Sequence, residues 1–290
     1  MHTITLEKGL ATFINALSGK NRSAATIRAY QTDIQQFISF LHANNVSIHT
    51  SAEVEKIDVV EYLSALAKKE LTGIARARKM SAIREYFRFL EGVGVITKSP
   101  TTGIETPKRE KNSRQYLRSD EYTKMLSLAG ANARDFAILQ VFLQTGIRVS
   151  ELANLRITDI DFIKPSITVR GKGSVEREIA LEKKGIHALK SYLALRPESI
   201  STRVFLNYQG EPISERGIRK LVVKYRVEAG ITKKASCHTL RHTFATYKAE
   251  KGVSAFQLQQ WLGHANLNTT QIYVHLGKQN ARKIMQDRNL

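Results

Sequence analysis

His264-Ala265-Asn266-Leu267-Asn268-Thr269-Thr270-Gln271-Ile272-Tyr273-Val274-His275 is the stretch on which the reading of this chain turns. It places a tyrosine nine residues after a histidine, just past a Thr-Thr pair. Upstream lies His238-Thr239-Leu240-Arg241-His242, and further upstream Thr145-Gly146-Ile147-Arg148-Val149-Ser150-Glu151-Leu152. His238 and Arg241 are three apart, so on a helix they share a face. A guanidinium matches two phosphate oxygens and stays charged, and a phenol with a pKa near 10 needs such neighbours to become a nucleophile at neutral pH. A phenol, two guanidiniums and imidazoles together point to chemistry at a phosphate.

Composition agrees. The 290 residues carry 45 Lys and Arg against 26 Asp and Glu, a formal charge of +19, which attracts polyanions and makes nucleic acid the leading partner. A hydrophobic fraction of 42% supports one large or two ordinary cores. One cysteine, Cys237, excludes an internal disulfide framework and a multi-cysteine zinc site. No N-terminal signal segment is visible, and no apolar run approaches the roughly 20 residues that span a bilayer. The expectation is a cytoplasmic protein with no membrane partner.

In order, these three stretches resemble the signature of the tyrosine site-specific recombinases, the phage integrase family, and the chain looks closest to the Xer-like branch. Lys172, in Arg170-Gly171-Lys172-Gly173-Ser174, matches the lysine that the family carries between the first two stretches. The resemblance implies Tyr273 as nucleophile, with Arg148 and Arg241 clamping the scissile phosphate. His238 takes the tyrosine proton, His264 donates to a phosphate oxygen, and Lys172 is the general acid for the leaving 5′ oxygen. Glu151 supports Arg148, and His242 is structural. It further implies a 3′-phosphotyrosine intermediate and no metal or cofactor. Four subunits on two double-stranded DNA sites would exchange strands through a Holliday junction, with the basic segment Gln279 to Arg288 docking on a neighbour. A second recombinase or an accessory protein is an open partner. Two departures, Ala180 and Cys237 where relatives often carry proline, touch no proposed catalytic group.

The expected fold is mainly α with a small β-hairpin or sheet. Residues 1–106 read as a helical, SAM-like DNA-binding domain, 107–116 as a basic linker, and 117–290 as a mixed α+β catalytic domain. Apolar residues recur at Leu6, Leu10, Phe13, Ile14 and Leu17, a helix that Gly19 ends. Ser23 is the expected N-cap of a second helix, whose apolar face takes in Ile27, Tyr30, Ile34, Phe37, Ile38 and Leu41. A third run covers Val59 to Leu66, and a fourth covers Ile74 to Leu90 with Arg76, Arg78, Lys79 and Arg84 on its polar faces. Ser23, Thr26, Tyr30, Asp33, Phe37 and Leu41, then Arg78, Ser81, Ile83, Arg84, Phe87 and Leu90, also resemble the family's N-terminal domain. Arg76, Arg78, Lys79, Arg84, Lys108 and Arg109 are the expected DNA-backbone contacts. In the second domain, Ile167, Val169 and Glu176 to Leu181 suggest two strands around the glycine-rich turn, and Val204-Phe205-Leu206 a short strand or buried turn. Two rivals share parts of this pattern. A non-catalytic DNA-binding protein explains the charge but not the joint set of six site residues. A type IB topoisomerase shares the chemistry but fits the helical N-terminal half poorly.

Overall fold

The computed structural model describes residues 4–20, 22–44, 47–108, 115–171 and 176–263. The chain forms two compact units, Met1–Asn112 and Ser113–Leu290.

The first unit is built from α1 (Leu6–Gly19), α2 (Ala24–Asn44), α3 (Lys56–Lys68) and α4 (Gly73–Gly92). Hydroxyl caps start three of them: Thr5, Ser23 and Thr72 each accept from a backbone N–H three residues on, and so satisfy a donor that the first turn leaves without a partner. The apolar stripes read in the sequence meet in one core: Leu10 and Phe13 of α1, Ile34, Phe37 and Leu41 of α2, Val59 and Tyr62 of α3, and Ile83, Tyr86, Phe87 and Leu90 of α4. Phe37 sits edge-on to Tyr62 and Phe87, with centroids 5.2 and 6.2 Å away, the packing that aromatic quadrupoles favour.

A polar pair interrupts that core and corrects one expectation. Lys79 is 5% exposed, and its ammonium donates to Asp33 Oδ1 at 3.0 Å and to Gln36. Asp33 is itself 1% exposed and also takes Arg78. Lys79 is therefore an internal cation and not an outward phosphate contact. A buried carboxylate this dry demands a counter-charge, and α4 supplies it. Arg84 is half-buried and donates to Ile104 O (2.8 Å) and Thr106 Oγ1 (3.0 Å), which ties the segment after the helix back to α4. Arg76 is half-buried, while Arg78 and Lys108 are exposed; Arg109 lies outside the described residues.

The second unit begins with α5 (Ser119–Ala129) and α6 (Ala133–Thr145). Ala137 to Phe142 of α6 are all buried, so this helix is the axis of the domain, with α8 (Lys183–Leu195) and α10 (Cys237–Glu250) packed on it. Between them come α7 (Val149–Asn154), a 3₁₀ turn (Ile157–Asp159), and a three-stranded antiparallel sheet of β1 (Ile160–Asp161), β2 (Ser166–Arg170) and β3 (Glu176–Ala180). The register pairs Ile167 with Ile179 and Val169 with Arg177, so those four side chains share the inner face. Two strands match the sequence reading, and the turn between them lies outside the described residues. The added β1 is two residues long, too short for alternation to reveal. Val204, Phe205 and Leu206 form a buried extended segment with an isolated bridge from Leu206 to Pro212. Helices α9 (Glu215–Glu228), α10 and α11 (Ala255–Leu262) complete the described chain.

Lys79→Ala strands the Asp33 carboxylate with Arg78 alone. It is expected to destabilise the full chain by about 3 kcal/mol, the scale for breaking a buried ion pair. Urea unfolding measures it; a loss below about 0.5 kcal/mol, the range of ordinary surface substitutions, contradicts the internal pairing.

Candidate active site

Helix α10 begins with Ser236, whose hydroxyl accepts from the Thr239 N–H at 3.4 Å. His238 is the second helical residue and Arg241 the fifth, both in the N-terminal part where backbone N–H groups and the helix dipole favour an anion. His238 is exposed, whereas Arg241 is 7% exposed. The buried guanidinium donates through Nη1 to Gly146 O at 2.7 Å and through Nη2 to Leu262 O at 2.6 Å.

Gly146 ends α6 with φ of +59°. A Cβ there would lie 2.4 Å from Phe244 Cδ1, so only glycine allows this left-handed exit beneath α10. The exit delivers Arg148 two residues later. Arg148 is the N-cap residue of α7. Its backbone N–H donates to Glu151 Oε2 (2.7 Å), its Nη1 to Glu151 Oε1 (2.9 Å), and its Nη2 to Gly263 O (2.7 Å). Glu151 thus holds Arg148 by both main chain and side chain.

A third arginine, absent from the sequence reading, completes the cluster. Arg177 reaches in from β3: Nη1 and Nη2 meet Glu151 Oε1 and Oε2 at 3.0 and 2.8 Å, and Nε donates to Trp261 O at 2.7 Å. The carbonyls of Trp261, Leu262 and Gly263 are therefore taken in succession by Arg177, Arg241 and Arg148. These are the groups that the last turn of α11 leaves without helical partners, at the negative pole of the helix. Gly263 has φ of +61°, and a Cβ on it would meet Arg177 Nη1 at 2.9 Å. The sequence did carry a signal for Arg177. It lies two residues before Ile179 and so shares the core face, where an arginine requires a carboxylate.

Burial alone would raise the pKa of Glu151. Hydrogen bonds from Arg177 and from Arg148 more than offset it, and the carboxyl lies below its ordinary value of 4.5. For His238, partial desolvation of the otherwise exposed side chain comes first, then the charges of Arg241, Arg219 and Arg148. Together they hold the imidazole below its usual 6.5. Its neutral form, a proton acceptor, therefore predominates at neutral pH. His242 is half-buried, with its ring edge-on to Tyr116 at 6.4 Å. Lys172, His264 and Tyr273 lie outside the described residues. In the chain, His264 directly follows Gly263, and Lys172 falls between β2 and β3, the strand that carries Arg177.

Residues 115–280 match the phage integrase family, and residues 10–92 match the phage integrase N-terminal SAM-like domain. The tyrosine recombinase XerC of Oceanobacillus iheyensis is 36% identical, over 96% of this chain and 94% of its own. That of Thermodesulfovibrio yellowstonii is 34% identical, over 92% and 91%. The solved structure of the Tn1549 transposon integrase in complex with transposon right end DNA has a similar fold, with a TM-score of 0.81 at 19% identity over 98% and 99% of the two chains.

An NMR titration of the free protein is expected to put the His238 midpoint below 6.5. Arg219→Gln removes one of the charges responsible and should move the midpoint up. Because the folded pKa is the lower one, the unfolded chain binds this proton more readily. His238 therefore subtracts from stability as pH falls below 6.5. A midpoint above 6.5, or one unmoved in Arg219→Gln, contradicts the charge arrangement.

Proposed function

The chain belongs to the phage integrase family, as a tyrosine recombinase of the Xer type acting in site-specific DNA recombination, and on that premise we propose that Tyr273 cleaves the DNA strand and carries it as a 3′-phosphotyrosine. Attack of the phenol oxygen on the scissile phosphorus forms the Tyr273–phosphate bond and breaks the bond to the 5′ oxygen. The phenol proton passes to His238. Lys172 gives a proton to the departing 5′ oxygen, which leaves as a free hydroxyl. Arg148 and Arg241 neutralise the non-bridging oxygens as charge builds on them, and His264 donates a further hydrogen bond. Attack by a 5′-hydroxyl from the partner site reverses these steps and restores the tyrosine. The ester conserves the bond energy, so the reaction proceeds without metal, cofactor or nucleotide. Two rounds, one strand pair at a time, pass through a Holliday junction within a tetramer on two double-stranded sites. The setting is the cytoplasm, where a second recombinase or an accessory protein is compatible with the scheme. Arg78, which stays exposed beside Asp33, and Lys108 are the exposed DNA-backbone contacts assigned here, together with the half-buried Arg76 and Arg84 and with Arg109, which lies outside the described residues.

The observation that supports this most is the meeting of Arg148 and Arg241 at the end of α11, with His238 three residues before Arg241 on α10. They come from two segments far apart in sequence, brought together by hydrogen bonds to Gly146, Leu262 and Gly263. Neutral His238 beside two guanidiniums is a proton acceptor next to an anion clamp, the pairing that the first step needs.

Covalent trapping tests it. Wild type, denatured after incubation with genomic DNA of the source organism, should retain DNA at a discrete site, with or without EDTA, while Tyr273→Phe retains none. Arg148→Lys keeps the charge but loses the fork, and should slow adduct formation by about 100-fold. If wild type shifts DNA but yields no adduct, a binding protein without strand cleavage becomes the better description.

A further inference from the structure

Glu151 is the sole carboxylate bound to the site's arginines among the described contacts, and it serves two of them. Its side chain is 3% exposed, against 11% for Arg177 and 35% for Arg148. Arg177 presents a parallel fork, one nitrogen to each carboxylate oxygen, at 3.0 and 2.8 Å. Arg148 touches the same carboxylate with a single side-chain nitrogen and turns its other terminal nitrogen to Gly263 O. The stronger, bidentate half of the arrangement therefore belongs to the buried arginine. The weaker half belongs to the arginine that stands partly in solvent.

Charge accounting gives this asymmetry a purpose. One carboxylate between two guanidiniums leaves a local surplus of positive charge, and that surplus lies on the solvent side, at Arg148. Without Arg177, a carboxylate this deeply buried would draw its whole compensation from Arg148. The Arg148 fork would close onto Glu151, and its charge would be spent inside the protein.

We propose that Arg177 is a positioning residue: it neutralises Glu151 from the core side so that Arg148 keeps its charge and its donors for a phosphate, and its bond to Trp261 O fixes the turn ahead of His264. This rests on the phosphate-transfer reading above. Arg177 also stands on β3 of the β2–β3 hairpin, five residues after Lys172 in the chain. One guanidinium thus joins the base of that hairpin, the Arg148 cap and the end of α11. Substrate need never touch it.

The test uses the full chain as wild type, Arg177→Met, Arg177→Lys, Glu151→Gln and the double variant Glu151→Gln/Arg177→Met. The first readout is the single-turnover rate of adduct formation on the duplex recovered by trapping, with DNA affinity measured alongside. Arg177→Met is expected to lose about 10- to 100-fold in rate at unchanged DNA affinity, since what it removes is orientation and charge at the phosphate. Adding Glu151→Gln should recover most of that loss, because a neutral amide does not compete for Arg148. A purely structural role predicts the opposite, a double variant at least as impaired as Arg177→Met. The second readout needs no cleavage: the Arg148 side-chain Nε–H resonance is followed while inorganic phosphate is added. Its response should weaken in Arg177→Met, persist in Arg177→Lys, and return in the double variant. If Arg177→Met does not fold, Arg177→Lys and the double variant carry the comparison. A wild-type response in Arg177→Met, or no recovery in the double variant, overturns the proposal. Absence of an adduct in wild type would instead refute the strand-cleavage reading, and the phosphate titration would still decide the part played by Arg177.

Discussion

The catalytic unit depends on the capture of three consecutive carbonyls. A helix end leaves its last carbonyls without partners, and most helices satisfy them with water or with a local glycine turn. Here α11 does have its glycine, Gly263, yet Trp261, Leu262 and Gly263 are each bound by an arginine from a different element. Three fixed charges at the negative pole of a short helix make a far stiffer joint than the helix could make alone. The other end of each arginine is what matters chemically. Arg241 reaches back to the α6 exit, Arg177 and Arg148 meet on Glu151, and His238 lies one turn ahead of Arg241. Fixing the backbone and arranging the charges are the same set of hydrogen bonds.

Much of this was legible in the sequence, and what was not has physical reasons. Helices α1 to α4 follow from 3.6-residue spacing and from Ser23 as a cap, and the hairpin from Ile167, Val169 and the glycine-rich turn. Arg177 escaped because its partner Glu151 is 26 residues earlier and on a helix, a separation at which strand alternation says only that a carboxylate must exist. Lys79 was misassigned for a related reason. It lies four residues before Ile83, on the apolar stripe of α4, and Asp33 lies four before Phe37 on that of α2. Two charges in facing stripes are a buried pair, but each helix taken alone shows only an ordinary surface charge.

The first unit shows how a strongly basic chain divides its cations. Of the basic residues on α4, Lys79 answers the internal Asp33, Arg78 covers the same carboxylate from outside, and Arg84 fastens residues 104–106. The formal charge of +19 already counts Asp33 against these cations, so the pairing redistributes positive charge and does not reduce it. The same division appears in the second unit, where Arg177 serves Glu151 from the core side and Arg148 stands partly in solvent.

The long sequence separations within the cluster also set an order of birth. Arg177 and Glu151 are 26 residues apart, but Arg177 waits 84 residues for Trp261, Arg241 lies 95 beyond Gly146, and Arg148 waits 115 for Gly263. Contacts that span such loops carry a larger closure entropy, which slows folding. A chain emerging from the ribosome would complete its first helical unit, then the hairpin with its paired Arg177 and Glu151, while the end of α11 was still unmade. The anion clamp thus cannot form until the chain has been made through residue 263, and a shorter chain holds its arginines without the joint that aims them.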